Sequence, residues 1–261
     1  MTKRAMSSEQ ARNVRAAGHA DAKLFAKIIG LPNDYNNDLK AKKDVIDHNG
    51  DAHSVKSGKE WWQIFLYSRS RIESDYAFKA MNGIGQLIIE CLDIFTQERS
   101  DYLKDKEVYK RRLEKPMIEI REKLGDKKRL EAFLAKAFFN GNEVQFLTVK
   151  ESNCYHVFYY KDVINILSAK LNITNSKALC KGQFNNQKVL FQLNGVNAGE
   201  LELRNDSDIH YREIKLRLNK HKIFNVLREN ITDRDNPAVI NRANIDNRVV
   251  RYAQAIKKFK P

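Results

Sequence analysis

Residues 44–58, Asp-Val-Ile-Asp-His-Asn-Gly-Asp-Ala-His-Ser-Val-Lys-Ser-Gly, constrain this chain more than any other stretch. Residues 44–47 are short and β-branched at their centre, which favours an extended strand. Asn49-Gly50 is a turn signal, because glycine accepts the positive φ that a tight hairpin turn requires. Residues 52–56 return as a second strand, and Ser57-Gly58 ends it. Residues 61–67, Trp-Trp-Gln-Ile-Phe-Leu-Tyr, open an aromatic-rich helix or strand. A hairpin at this point excludes an all-helical bundle and begins a sheet.

Helical sequence lies on both sides of the hairpin. Residues 7–29 read as a helix capped by Ser7 or Ser8, with Val14, Leu24, Phe25 and Ile28 as apolar positions and Gly18 as a point of division into two shorter helices. Gly30-Leu-Pro32 stops it. Residues 78–124 read as helical, with Leu87, Ile88, Leu92, Ile94 and Phe95 on one buried face, and residues 127–139 form another helix closed by Asn140-Gly141. The period then changes from 3.6 to two. Residues 144–149 and 155–160 read as paired strands around Ser152-Asn153, residues 162–171 as a helix, and residues 188–193, 200–204 and 214–218 as further strands. The fold class expected is α/β in the mixed α+β sense. Residues 1–171 make the core, with residues 78–139 as a helical insertion, and residues 172–261 make a strand-rich C-terminal part.

The chain of 261 residues carries 47 Lys and Arg against 33 Asp and Glu, a formal net charge of +14. That excess favours a polyanionic partner, through phosphate contacts and counterion release. No run approaches the roughly 18 apolar residues of a membrane span, so no membrane association is expected. With 11 glycines and 4 prolines there is neither a linker nor a low-complexity stretch. Cys91, Cys154 and Cys180 are widely spaced and cannot all pair, which points to a reducing, cytoplasmic setting. Residues 1–4 have cations with no apolar stretch behind them, unlike a secretory signal.

The hairpin also carries chemistry. Asp44 starts one strand and Lys56 ends the next, and antiparallel pairing brings them near one another. A carboxylate holding a hard divalent cation, beside a lysine that orients water or offsets charge on phosphorus, suits metal-assisted phosphodiester hydrolysis. With Gly18-His-Ala-Asp21 on the first helix, Lys43-Asp44-Val-Ile, Ser54-Val55-Lys56-Ser-Gly and the aromatic stretch after them, the first 70 or so residues resemble the PD-(D/E)XK nuclease superfamily and, within it, type II restriction endonucleases. The resemblance implies a restriction-endonuclease-like core with a central mixed sheet flanked by helices. It implies Asp44 as the metal-binding aspartate, Lys56 as the catalytic lysine, the Val55 carbonyl as a metal ligand and Asp21 as the helix-borne acid. It implies a role for Gln63 in orienting the lysine or touching the substrate backbone. The implied cofactor is Mg2+, the partner double-stranded DNA, and the assembly a homodimer formed through residues 78–139; a cognate methyltransferase protects host DNA without binding the enzyme. Ser54 departs from the pattern, since the position two before the lysine is usually Asp or Glu. A hydroxyl is a weak ligand, so the site leans on Asp21, Asp47 or water for the missing charge.

Recognition is expected from the C-terminal part. Asn185, Asn186 and Gln187 have the side chains that read adenine edges. Arg204, Asn205, His210 and Arg212 form a polar turn between strands, and Lys215, Arg217, Lys220 and Lys222 form a basic run suited to phosphate contacts, continued by Arg242, Arg248, Arg251 and the C-terminal lysines. Each of these taken singly also fits a solvated basic face. Three other readings are weaker. A different nuclease role, in repair or of the HNH type, is one; Asp47-His48-Asn49 suggests the latter, but residues 60–72 offer no second histidine. Cys154, His156 and Cys180 lack metal-ligand spacing. A non-catalytic DNA- or RNA-binding protein accounts for the charge but leaves Asp44 and Lys56 without a task. Trp61 and Trp62, being adjacent, cannot both face a core.

Overall fold

The computed structural model describes residues 8–177, 186–205, 207–235, 238–239 and 248–261. In chain order its elements are α1 (Ser8–Ile28), β1 (Val45–Ile46), β2 (Ala52–Lys56), β3 (Trp61–Tyr67), α2 (Arg69–Glu73), α3 (Tyr76–Ala80), α4 (Ile84–Asp93), α5 (Arg99–Lys104), α6 (Lys106–Leu124) and α7 (Lys127–Phe139). There follow β4 (Phe146–Glu151), β5 (Cys154–Tyr159), α8 (Tyr160–Lys170), β6 (Asn172–Asn175), β7 (Lys188–Leu193), β8 (Val196–Arg204), β9 (Glu213–Asn219), α9 (Lys220–Asn230), β10 (Ala238–Val239), β11 (Arg248–Tyr252) and α10 (Gln254–Lys258). The class is mixed α/β with two sheets. Among the described residues no helix is long and apolar enough to cross a membrane.

The chain forms two compact units, one from Met1–Glu60, Phe138–Ile166 and Phe224–Pro261, the other from Trp61–Ala137 and Leu167–Ile223. The expected bounds, a core over residues 1–171 and a dependent C-terminal part over 172–261, differ from these: residues 61–137 group with 167–223, and residues 224–261 with the first unit. The first unit takes its strands from three separated stretches, because β2 and β4 pair in parallel although His53 and its partner Phe146 lie far apart in sequence.

The first unit holds a sheet of order β1-β2-β4-β5-β11-β10. β1–β2, β4–β5 and β10–β11 pair antiparallel, whereas β2–β4 and β5–β11 pair parallel. The hairpin turn forms as its residues require. Gly50 takes φ 82°, and its N–H donates to the Asp47 carbonyl at 3.0 Å. The Asp47 carboxylate accepts the N–H groups of Asn49 and Asp51 at 2.8 and 3.0 Å. Gly18 does not interrupt α1, which continues through it. One face of the sheet buries Phe146, Tyr155, Val157, Tyr159 and Val249 against Ala22, Phe25 and Ile28 of α1 and Phe259. The opposite face receives α9, whose Phe224 lies 4.7 Å from the ring of His156 and 6.3 Å from that of Phe158.

His53 is fully buried beneath α1, 4.8 Å from the ring of Phe146 and 4.7 Å from that of Phe259. The Thr148 hydroxyl lies 2.9 Å from its Nδ1, and Nε2 lies 3.4 Å from Asp47 Oδ2. Donation from Thr148 to Nδ1 and from Nε2–H to Asp47 satisfies both nitrogens in a neutral ring. Burial holds the imidazole below its usual pKa, against the pull of Asp47. The stability this neutral ring contributes is complete above the unfolded value of about 6.5 and is lost as pH falls through the lower folded value. The urea midpoint should therefore drop from pH 7 towards pH 5, and the drop should be smaller in His53→Phe. Parallel pH profiles for the two proteins would show that His53 is not the coupled group.

The second unit holds an antiparallel sheet of order β3-β9-β8-β7-β6. Its buried face includes Phe65, Phe191, Leu201 and Leu216, with Phe133 of α7 6.4 Å from Phe65 and 6.1 Å from Phe191. Trp62 is buried, and half-buried Trp61 lies beneath the Arg217 guanidinium at 4.7 Å.

Candidate active site

Asp44 immediately precedes β1, and the hairpin carries it to β2, where its N–H donates to the His53 carbonyl at 2.9 Å. Its Oδ2 accepts the Val55 N–H at 2.7 Å and stands 3.5 Å from the Ser54 hydroxyl. Ser54 is buried, whereas Asp44, Val55 and Lys56 are half-buried. Side chains alternate along a strand, so Ser54 and Lys56 share the face away from α1 while Val55 joins the core beneath α1. The departure at position 54 is thus set directly beside Asp44. A carboxylate there would confront Asp44 in a buried setting, and the neutral hydroxyl removes that repulsion.

Asp21 is placed elsewhere. Its Oδ1 accepts from Lys150 Nζ at 2.5 Å, and its carbonyl accepts from the Tyr155 hydroxyl at 3.0 Å. Lys56 pairs in register with Val149, so Lys150, one residue on, points to the α1 side of the sheet. The expected grouping of Asp21 with Asp44 is therefore corrected: Asp21 pairs with a second lysine on the other face. Burial, with Asp21 beside it, pushes the Tyr155 hydroxyl's pKa up, so it stays protonated as a donor. Lys150 was not singled out from sequence, although Thr148-Val-Lys150 repeats the form of Ser54-Val-Lys56. Among the described residues no group of three or more His, Cys, Asp or Glu is arranged to hold a metal ion.

Gln63 lies exposed on β3 in the second unit, in register with Arg217. Asn185, Cys180 and Arg242 lie outside the described residues. The Asn186 N–H donates to the Ser176 carbonyl at 2.8 Å, and Gln187 Nε2 donates to the Lys110 carbonyl at 2.6 Å. Half-buried Arg204 accepts the Arg212 N–H on its carbonyl at 3.0 Å, and the Asn205 carbonyl accepts from Arg99 at 3.3 Å. His210 Nδ1 is 2.7 Å from Glu213, and Arg212 Nε donates to the Leu92 carbonyl at 3.1 Å.

The basic run is not the set of free phosphate donors its spacing predicts. Lys215 pairs with Glu202, and Arg217 with Glu200. Lys222 Nζ donates to the Asn197 carbonyl at 2.7 Å, and Lys220 is buried. Arg251, expected to continue the same run, pairs with Asp235 at 2.6 Å. By contrast, Arg228 and Arg234, which no motif marks, line a cavity of about 470 Å³ with Asn225, Glu229 and Thr232.

The weaker readings find little support in this geometry. His48 is exposed in the turn, at the opposite end of the hairpin from Asp44 and Lys56. His156 Nδ1 lies 2.8 Å from the Tyr252 hydroxyl, and burial raises the pKa of the Cys154 thiol, disfavouring the thiolate that ligates metals. No protein-family model, no curated protein and no solved structure matches the chain.

Proposed function

We propose that the chain is a magnesium-dependent endonuclease that cuts double-stranded DNA at a short specific site, with a PD-(D/E)XK core of the type II restriction kind. The observation that carries this reading is the Asp44 carboxylate bonded to the Val55 N–H at 2.7 Å, one residue before Lys56, at the end of a hairpin in a mixed sheet. Asp44 Oδ1 receives no donor among the described residues, and Ser54 adds a hydroxyl beside it. Together with the Val55 carbonyl these are hard oxygen donors of the kind that would hold magnesium. Magnesium bound there supplies a polarised phosphoryl oxygen and a more acidic water. The Val55 N–H fixes the rotamer of Asp44. Lys56, on the same face as Ser54, orients the attacking water and offsets the charge that develops on the phosphate oxygens.

A symmetric dimer fits this function, because two strands of a palindromic site need two copies of one centre. Incubating a panel of supercoiled plasmids with the protein and Mg2+ should yield discrete fragments, and EDTA should abolish them. Plasmids left intact with Mg2+, although bound by the protein, would instead support a non-catalytic binding protein.

A further inference from the structure

α1 is much longer than the part of it that packs. Its buried residues begin at Ala22 and continue through Phe25, Ala26 and Ile28. Among residues 9–20 whose exposure is described, all are exposed except half-buried Gly18. Asp21 sits over Lys150 and Tyr155, at the end of the sheet where β2 delivers Lys56, and Phe25 lies deeper, 5.0 Å from the ring of His53. The helix therefore runs past that end of the sheet. Twelve residues at about 1.5 Å each make a projection of about 18 Å.

The projection is charged on one side. At about 100° per residue, Arg12, Arg15, His19 and Lys23 fall within an arc of about 80°. Arg12, Arg15 and Lys23 are exposed and carry no ion pair among the described residues, whereas Lys215, Arg217 and Arg251 are paired. Glu9 is the one acid in residues 9–20. A helix of this length without packing is marginal in water, and the stripe is complementary to a polyanion. From Arg12 to Lys23 it spans about 16 Å, the axial length of about five phosphates of one DNA strand.

We propose that the projecting half of α1 is an arm that binds the DNA backbone beyond the cutting centre. The proposal rests on the endonuclease reading for its partner, but not on Asp44 or Lys56. Binding of a fluorescent duplex should be measured in EDTA, where no cleavage intervenes, for the wild type and for Arg12→Ala/Arg15→Ala. Alanine keeps the helix, and both positions are exposed, so the variant should unfold at the wild-type temperature. Two lost phosphate contacts should weaken binding roughly 50-fold at 0.1 M salt and make the plot of log affinity against log salt shallower by about two. Equal affinity and equal slope for a binding-competent wild type would overturn the arm and leave the endonuclease reading standing. A wild type that binds no duplex at all would overturn both. Loss of binding to anionic lipid vesicles, with DNA affinity unchanged, would assign the stripe to a membrane surface and also overturn the proposal.

Discussion

Lys56→Ala should lose magnesium-dependent cleavage by about 10³-fold or more while keeping duplex affinity, measured in EDTA, within about threefold of wild type. The magnitude follows from removing a preorganised charge that acts where negative charge develops on the phosphate. The separation of binding from cutting follows from the structure. Lys56 is half-buried at the end of β2 and forms no ion pair among the described residues, so its loss leaves no charge without a partner. Lys150→Ala is the informative contrast. It breaks the 2.5 Å pair with Asp21 and should lower stability, yet Lys150 projects to the other face and should not carry the chemistry. The companion variant is Asp44→Asn rather than Asp44→Ala, because an amide oxygen can still accept the Val55 N–H. Alanine would leave that N–H unpaired, at about 1–3 kcal/mol. Asp44→Asn should therefore fold, bind DNA and fail to cut. Wild-type cleavage by Lys56→Ala would reject this centre outright.

How much of this was legible before the structure depends on how local each signal is. The hairpin of β1 and β2 was, because Asn49-Gly50 sets a turn and alternation sets the strands within a dozen residues. The pairing of Asp21 was not, since it depends on β4 lying parallel to β2 with Lys56 opposite Val149, a register no nearby residue specifies. β11 was missed for a related reason. Val249 and Val250 are flanked by Arg248 and Arg251, so the stretch reads as part of a basic tail. Only parallel pairing with β5 makes it an interior strand. The fate of Lys215 and Arg217 had a readable clue. Glu200-Leu-Glu202 and Lys215-Leu-Arg217 place opposite charges at the same two-residue spacing, as two adjacent antiparallel strands require. Lys215 and Arg217 read alone suit phosphate contacts; read with Glu200 and Glu202 they form a pair of strands with matched charges. The projection of α1 shows the converse case, since periodicity identifies the helix but not the point at which its packing stops.

Glu202→Gln tests that pairing and should produce the largest stability loss in the second unit. Glu202 stands between Lys188 on β7 and Lys215 on β9 in a single row across three strands, and pairs with both. Burial alone would raise the pKa of its carboxyl, but Lys188 and Lys215 overcome that and hold it down at about 2. Burial alone would likewise lower the pKa of Lys188, and Glu202 and Glu200 raise it instead. For Lys215, burial outweighs the pull of Glu202, so this amine is the less well compensated of the two. The fall from the ordinary 4.5 to about 2 corresponds to about 3 kcal/mol at neutral pH. Since the folded value lies below the unfolded one, this stability is present above about pH 4.5 and is lost as pH falls towards 2. Glu202→Gln should thus lower the urea midpoint at pH 7 by the equivalent of about 3 kcal/mol, and its stability should change less than that of the wild type between pH 4.5 and 2. Part of the loss comes from leaving Lys188 and Lys215 facing each other across a neutral amide. Removing the whole set is a different experiment. Lys188→Met/Glu202→Leu/Lys215→Met strands no charge in that row, and Glu200, which also pairs with Lys188, keeps Arg217; the variant should cost less than Glu202→Gln alone, because burying an ion pair carries a desolvation penalty that packed apolar side chains avoid. A Glu202→Gln variant with the wild-type midpoint and acid profile would show that the row is solvated and contributes nothing to the fold.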